Sequence, residues 1–401
     1  MANTLKFGNG LWATKEGSTL AYNDENGNYK PLPFEFERDT NATVVNKNGL
    51  IETVGNNIPR IDFQGNNKGA LLLEPERTNS LLQSNQFDTT WSNLGLTTVG
   101  GQIGVGGSND AWLLNVNSNS GSIRQNVTQN GEQSLSLYAK KGSVNWIALY
   151  VSSTVDPPYV YFDLENGVVG TSIGGNTIDE NIESVGNGWY RCSIVFDRTI
   201  TSDTIRIFPS ENDNILGNIG DSIYIQYAQL EQGSYPTSYI PTSGGTVTRA
   251  GDDCVNAGND QVINSTEGVL YFEGSALASD SINKQMSLND GGQNTLRLIY
   301  NANNIRAFVQ VSAVTVVDIT HALTNAENVI KVALKYKIND YALWVNGAKV
   351  GVNTTAPIFS ANSLDKFSFN DVAASNFYSK TKNVKVYNTA LTDAELQALT
   401  S

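Results

Sequence analysis

Apolar residues recur at alternate positions in short runs, and turn-forming pairs separate the runs. Ser134-Leu135-Ser136-Leu137-Tyr138-Ala139 alternates with period two, the spacing of a strand with one face in a core. Trp146 to Val151 is nearly continuous in apolar residues, which predicts a strand covered on both faces. Val160 to Leu164 enters Asn166-Gly167 and Val168-Val169 leaves it. Trp189 to Phe196, Thr204 to Phe208 and Ile223 to Leu230 read as further strands. Asn-Gly also occurs at 9–10, 26–27, 48–49, 130–131, 187–188 and 346–347. Both residues tolerate the positive φ that a type I′ hairpin turn requires. Later in the chain, strands are predicted at Glu267–Gly274, Asn294–Tyr300, Ile305–Val311, Val329–Tyr336, Tyr341–Val345 and Asn383–Tyr387. The last element is a short helix: Thr392 and Glu395 have capping-box spacing, and Leu391 and Leu396 have that of a hydrophobic staple. Short strands at this spacing predict an all-β chain, with two tandem β-sandwich (jelly-roll) domains and a short C-terminal helix.

Composition fits this picture. The chain has 401 residues, more than one core usually organises, and 40% are hydrophobic. Only 16% are charged, and the net charge is -13. Such acidity argues against nucleic acid and against an anionic membrane surface, both of which ask for a basic footprint. No apolar run approaches the ~18 residues of a membrane-spanning helix. The N-terminus MANTLKFGNG has neither a basic nor an apolar signal region, so a product made in the cytoplasm without an export signal is expected. Cys192 alternates with apolar residues as a buried free thiol would, and Cys254 follows Asp252-Asp253 in a loop; no structural disulfide is expected.

Candidate chemistry is sparse. His321 is the single histidine, in Asp318-Ile319-Thr320-His321-Ala322, and reads as a surface or capping residue in a turn. Zinc is not expected with so few His and Cys. Asp163 and Glu165 are two apart on a strand and could point the same way, as a glycosidase pair would; a polar strand end entering the 166–167 turn explains them without catalysis. No catalytic residue is assigned and no cofactor is expected. A structural Ca²⁺ is open, with Glu211, Asp213 and Asp221, or Asp252 and Asp253, as oxygen ligands; the same residue types are ordinary in turns. Sugar binding rests on aromatic rings and hydrogen-bonding amides. Of the six tryptophans, Trp146 and Trp189 read as core. Trp91 and Trp112 lie in polar, loop-like surroundings, and Trp344 fits either burial or exposure, so Trp91, Trp112 and Trp344 are the candidate ligand residues.

The stretch Ile58 to Gln83, IPRIDFQGNNKGALLLEPERTNSLLQ, resembles a linking segment of structural proteins of tailed bacteriophages: tail fibres, tail spikes and head fibres. The resemblance rests on Pro59, Arg60, Asp62, Gly69, Leu71, Leu72, Leu73, Glu74, Pro75, Arg77, Thr78 and Asn79. Residues 70–245 resemble a carbohydrate-binding-module-like jelly roll, with Gly188-Trp189-Tyr190-Arg191-Cys192 similar to a strand of such modules. Residues 246–401, with Val345-Asn346-Gly347 closing a strand, resemble a concanavalin-A-like (laminin-G-like) sandwich, without the Glu-x-Asp-x-x-Glu pattern of laminarinase-type enzymes. By resemblance and position, residues 1–69 are expected to be an attachment or oligomerisation segment. The resemblance implies a non-enzymatic protein of the virion surface, a homotrimeric fibre or spike that contacts other virion proteins and adheres to host cell-surface glycans. A polysaccharide depolymerase and a ligand-free architectural decoration protein are the alternatives.

Overall fold

The structure is a computed structural model and describes residues 4–10, 12–20, 22–23, 33–152, 156–197, 203–371 and 376–401. It is all-β, in antiparallel sheets, with one helix at Asp393–Thr400. Thr392 caps that helix and completes the capping box with Glu395, as the spacing predicts. The chain forms two compact units. One comprises residues 1–41, 54–75 and 250–401; the other comprises 42–53 and 76–249.

The second unit is a two-sheet sandwich. One sheet runs Ser92–Leu94, Ser122–Val127, Asp203–Asn212, Trp146–Val151, Tyr159–Asp163 and Val168–Ile173 in spatial order. The other runs Leu96–Gln102, Ala111–Val116, Ser222–Gln232, Gln133–Lys141, Trp189–Phe196 and Thr177–Gly186. Alternate residues of both sheets meet in one core: Leu135, Leu137, Ile147, Leu149, Val160, Phe162, Ile205, Ile207, Ile223 and Ile225 are wholly buried there. Cys192 joins this core as a free thiol, and burial pushes its pKa well above the ordinary range.

The first unit is also a sandwich. Its larger sheet contains, in order, Ala348–Asn353, Tyr341–Val345, Ile330–Lys337, Glu267–Ala276, Ser379–Tyr387, Thr4–Gly8 and Tyr22–Asn23. The facing sheet runs Val314–Ala322, Asn304–Val311, Thr295–Asn301, Lys284–Asn289 and Lys366–Ser368. The division of the chain therefore differs from the expected 1–69, 70–245 and 246–401. Thr4–Gly8 pairs residue by residue with Asn383–Tyr387, and Leu5 and Phe7 are buried in this sandwich's core. Ala70–Leu73 pairs with Ser379–Thr381, and Phe34–Glu37 with Asp253–Val255. Alternating apolar residues at 5, 7, 34 and 36 have a core to enter, so these early segments are strands of the C-terminal sandwich. Cys254 lies in one of these strands and is buried, where a loop was expected.

The phage-like stretch has a physical explanation. Within the first unit, Arg60 is fully buried and pairs with Glu74 at 2.6 Å and with Asp252. Asp252 also accepts from Arg38 Nη1 at 3.1 Å and from the Glu74 amide at 2.8 Å. Against the cost of complete burial, the charges of Asp252 and Glu74 raise the Arg60 pKa and keep it charged. Removing one member of such a buried network strands the others, at a cost of roughly 3–5 kcal/mol. Within the second unit, Asn79 spends its whole amide: Nδ2 donates to the carbonyls of Ala228 and Ile240, and Oδ1 accepts from the amides of Leu81 and Leu230. The Arg, Glu and Asn of the motif are thus framework residues.

Candidate functional site

The three expected tryptophans do not form a platform. Trp91 is 3% exposed, its ring tilted against that of Phe87 at 5.2 Å, with its Nε1 donating to the Gln83 carbonyl. Its polar neighbours disguise a ring that enters the core. Trp112 belongs to a strand rather than a loop; its half-buried ring packs on the core and its Nε1 donates to the Asn85 carbonyl. Trp344 is 6% exposed in the cluster that seats the C-terminal helix through Leu396.

The tools of ligand contact gather instead on the outer face of the first sheet of the second unit. In Trp146–Val151 the core takes Ile147, Leu149 and Val151, which leaves Trp146, Ala148 and Tyr150 on the opposite face. In the next strand Val160 and Phe162 point inward, and Tyr159, Tyr161 and Asp163 outward. Register aligns these side chains. Tyr150 lies opposite Tyr159 and Arg206; Ala148 opposite Tyr161 and Phe208; Trp146 opposite Asp163 and Ser210. Ala148 leaves room for the rings on either side. Tyr159 stacks on Tyr161 at 5.0 Å, and Tyr150 meets Tyr159 edge-on at 5.1 Å. Phe208 lies 5.8 Å from Tyr159. Tyr161 and Phe208 are buried beneath this layer, while Trp146, Tyr150 and Tyr159 remain half-exposed. Burial, and then the adjacent Tyr161 hydroxyl, push the Tyr159 phenol above its ordinary range.

Polar groups border the rings. Arg206 lies over the Tyr150 ring at 5.7 Å. Asp213 is held beside the Trp146 ring, accepting from the Thr171 amide at 2.7 Å and from its hydroxyl at 2.9 Å. Asn126 and Thr204 are joined at 2.8 Å on the next strand pair. Such a face can stack a saccharide ring and read its hydroxyls. The sequence hides it: every outward residue of Trp146–Val151 is aromatic or alanine, so the strand reads as core on both faces. Trp146 was accordingly expected to be core. Splitting the run by parity would have revealed the second aromatic stripe.

The other candidates serve local structure. Asp163 accepts from the amides of Glu165 and Asn166 and from the Asn166 side chain, tying the 166–167 turn. Glu165 pairs with Lys141 at the surface. The two carboxylates therefore have separate jobs. Glu211 and Asp221 both hold Asn218, at 2.6 Å each. Asp252 belongs to the buried arginine network, and burial followed by the charges of Glu37 and Glu35 raises the pKa of Asp253. Among the described residues, no group of three His, Cys, Asp or Glu is placed to hold a metal. His321 lies in the strand Val314–Ala322, opposite Ile305, and not in a turn. A cleft of about 370 Å³ on the second unit is lined by Gln83, Asn85, Tyr227 and Tyr239. Its amide and phenol groups are largely committed: Asn85 to Asp110 and Tyr227, and the Tyr239 hydroxyl to Ser84.

No protein-family model matches the chain, and no curated protein matches it. Several solved structures resemble it in part. The CBM40 module of the IT-sialidase from Ruminococcus gnavus is 18% identical, with 37% of this chain and 94% of that one covered and a TM-score of 0.31. Domain 4 of AbnA, an extracellular arabinanase from Geobacillus stearothermophilus solved with arabinotriose, is 10% identical over 42% of this chain and 84% of that one, with a TM-score of 0.31. Domains LG4-5 of the mouse laminin alpha1 chain are 9% identical over 80% and 95%, with a TM-score of 0.24.

Proposed function

We propose that the chain is a non-enzymatic glycan-binding protein whose binding surface is the aromatic face around Trp146, Tyr150 and Tyr159, and that it works as an adhesive fibre or spike on a tailed-phage virion. The observation that carries the binding reading is the half-exposed aromatic layer bordered by Arg206, Asp213 and Asn126. Tyr150 and Tyr159 in contact, with Trp146 further along the same face, form the kind of apolar surface patch that marks an interaction site. The virion role rests on the resemblance of residues 58–83. The site joins ring stacking to hydroxyl readers and carries no acid–base pair, which supports binding over cleavage. Each contact would be weak, and useful attachment would come from many copies acting together.

A glycan array probed with the full chain is the direct test. Glycans retained on the array should be lost on Trp146→Ala or Tyr159→Ala, with affinity falling on the order of tenfold, equivalent to about 1.4 kcal/mol. Unchanged binding in both variants would refute the site. Release of reducing ends from a host polysaccharide would favour the depolymerase.

A further inference from the structure

Arg124 and Arg206 lie directly opposite each other on neighbouring antiparallel strands. Tyr150 is opposite Arg206, and Tyr159 opposite Tyr150. Directly opposed residues share a face, so Arg124, Arg206, Tyr150 and Tyr159 form one row across four strands, cationic at one end and aromatic at the other. With strands ~4.8 Å apart, the row is roughly 14 Å long. Like charges directly opposed in a sheet are destabilising. Here they persist in a chain with 39 acidic and 26 basic residues, where carboxylate partners are plentiful. Among the described residues, neither arginine has a salt bridge or donates a hydrogen bond, and the buried Nε of Arg206 has no acceptor. The carboxylates beside Trp146, at the other end of this face, are engaged elsewhere: Asp163 in its turn and Asp213 with Thr171. By contrast, Arg297 and Arg306 in the other sandwich are paired with Asp371 and Asp318.

We propose that this row selects glycans carrying carboxylates, with a sugar ring on Tyr150 and Tyr159 and its acid group on Arg206 and Arg124. The inference rests on the glycan reading above and deepens it. A planar guanidinium offers paired N–H donors that match a carboxylate's two oxygens, and Tyr150 fixes the plane of one of them. The ligand relieves the repulsion between the two cations and fills the donors that the fold leaves open.

The test uses the full chain and four acidic polymers (polygalacturonate, alginate, hyaluronate and polysialate), each beside its carboxyl-reduced form, with binding measured by calorimetry. At least one acidic polymer should bind, and its reduced form should bind about tenfold or more weakly. Raising salt from low to high should weaken the acidic polymer alone, because screening acts on the charged contact. Arg124→Gln should remove the preference for the acid form and spare binding of the reduced form, with unchanged or higher melting temperature; Arg124→Lys should restore part of it. Equal binding of acidic and reduced forms, or binding of neutral glycans alone through Trp146, would overturn the acid selectivity and leave the glycan site standing. Failure of every glycan, neutral and acidic, would overturn both.

Discussion

Gly170 decides whether Trp146 can lie where it does. A Cβ at this position would come within 2.4 Å of the indole ring and 2.6 Å of Asp213 Oδ1, so the close approach requires a glycine. Gly170→Ala must push the ring or the carboxylate aside. Glycan affinity is expected to fall on the order of tenfold, about 1.4 kcal/mol, while the circular dichroism spectrum stays that of the parent. Affinity equal to the parent's would mean that the indole takes no part in binding. The same scale shows why the outward-facing rings were hard to choose from sequence. Tryptophan in a polar context reads as exposed, yet Trp91 sits in the core, because a ring inserts wherever its own loop folds over the sandwich. Tryptophan in an apolar run reads as buried, yet Trp146 faces outward, because parity within a strand outweighs the average hydrophobicity around it.

At the scale of elements, period-two alternation and Asn-Gly turns located most strands, and the capping box located the helix, because these signals are local. Pairing is not local. Thr4–Gly8 meets Asn383–Tyr387, and nothing in either segment names the other. The sequence therefore suggested an N-terminal attachment segment where the structure has strands of the C-terminal sandwich. A protein of residues 250–401 would lack Leu5, Phe7, Phe34, Phe36, Leu71 and Leu73, all buried in that core. It would also leave Ser379–Tyr387, which pairs with both Thr4–Gly8 and Ala70–Leu73, with an open edge. This fragment is expected to aggregate or to lack a cooperative thermal transition. A soluble, cooperatively melting fragment would show that the N-terminal strands contribute little to the sandwich.

For the whole molecule, the phage-like motif implies a homotrimer, and light scattering of the full chain at micromolar concentration should give three times the chain mass; a monomer would contradict that expectation. The motif itself turned out to encode framework: Arg60 and Glu74 in one unit, Asn79 in the other. That separation of roles was invisible in sequence, where Asp252, the partner of Arg60, lies 192 residues away. The pairing of Thr4–Gly8 with Asn383–Tyr387 also sets a timetable. On the ribosome, residues 42–249 can complete their sandwich while the rest is still being made. Leu5 and Phe7 must wait until residue 383 has been added to the chain. At ~5–20 residues per second, that wait is roughly 20–75 s. Through it, two core side chains and a strand with one open edge stay exposed to wrong partners, and neighbouring chains on the same messenger carry the same strand at the same stage.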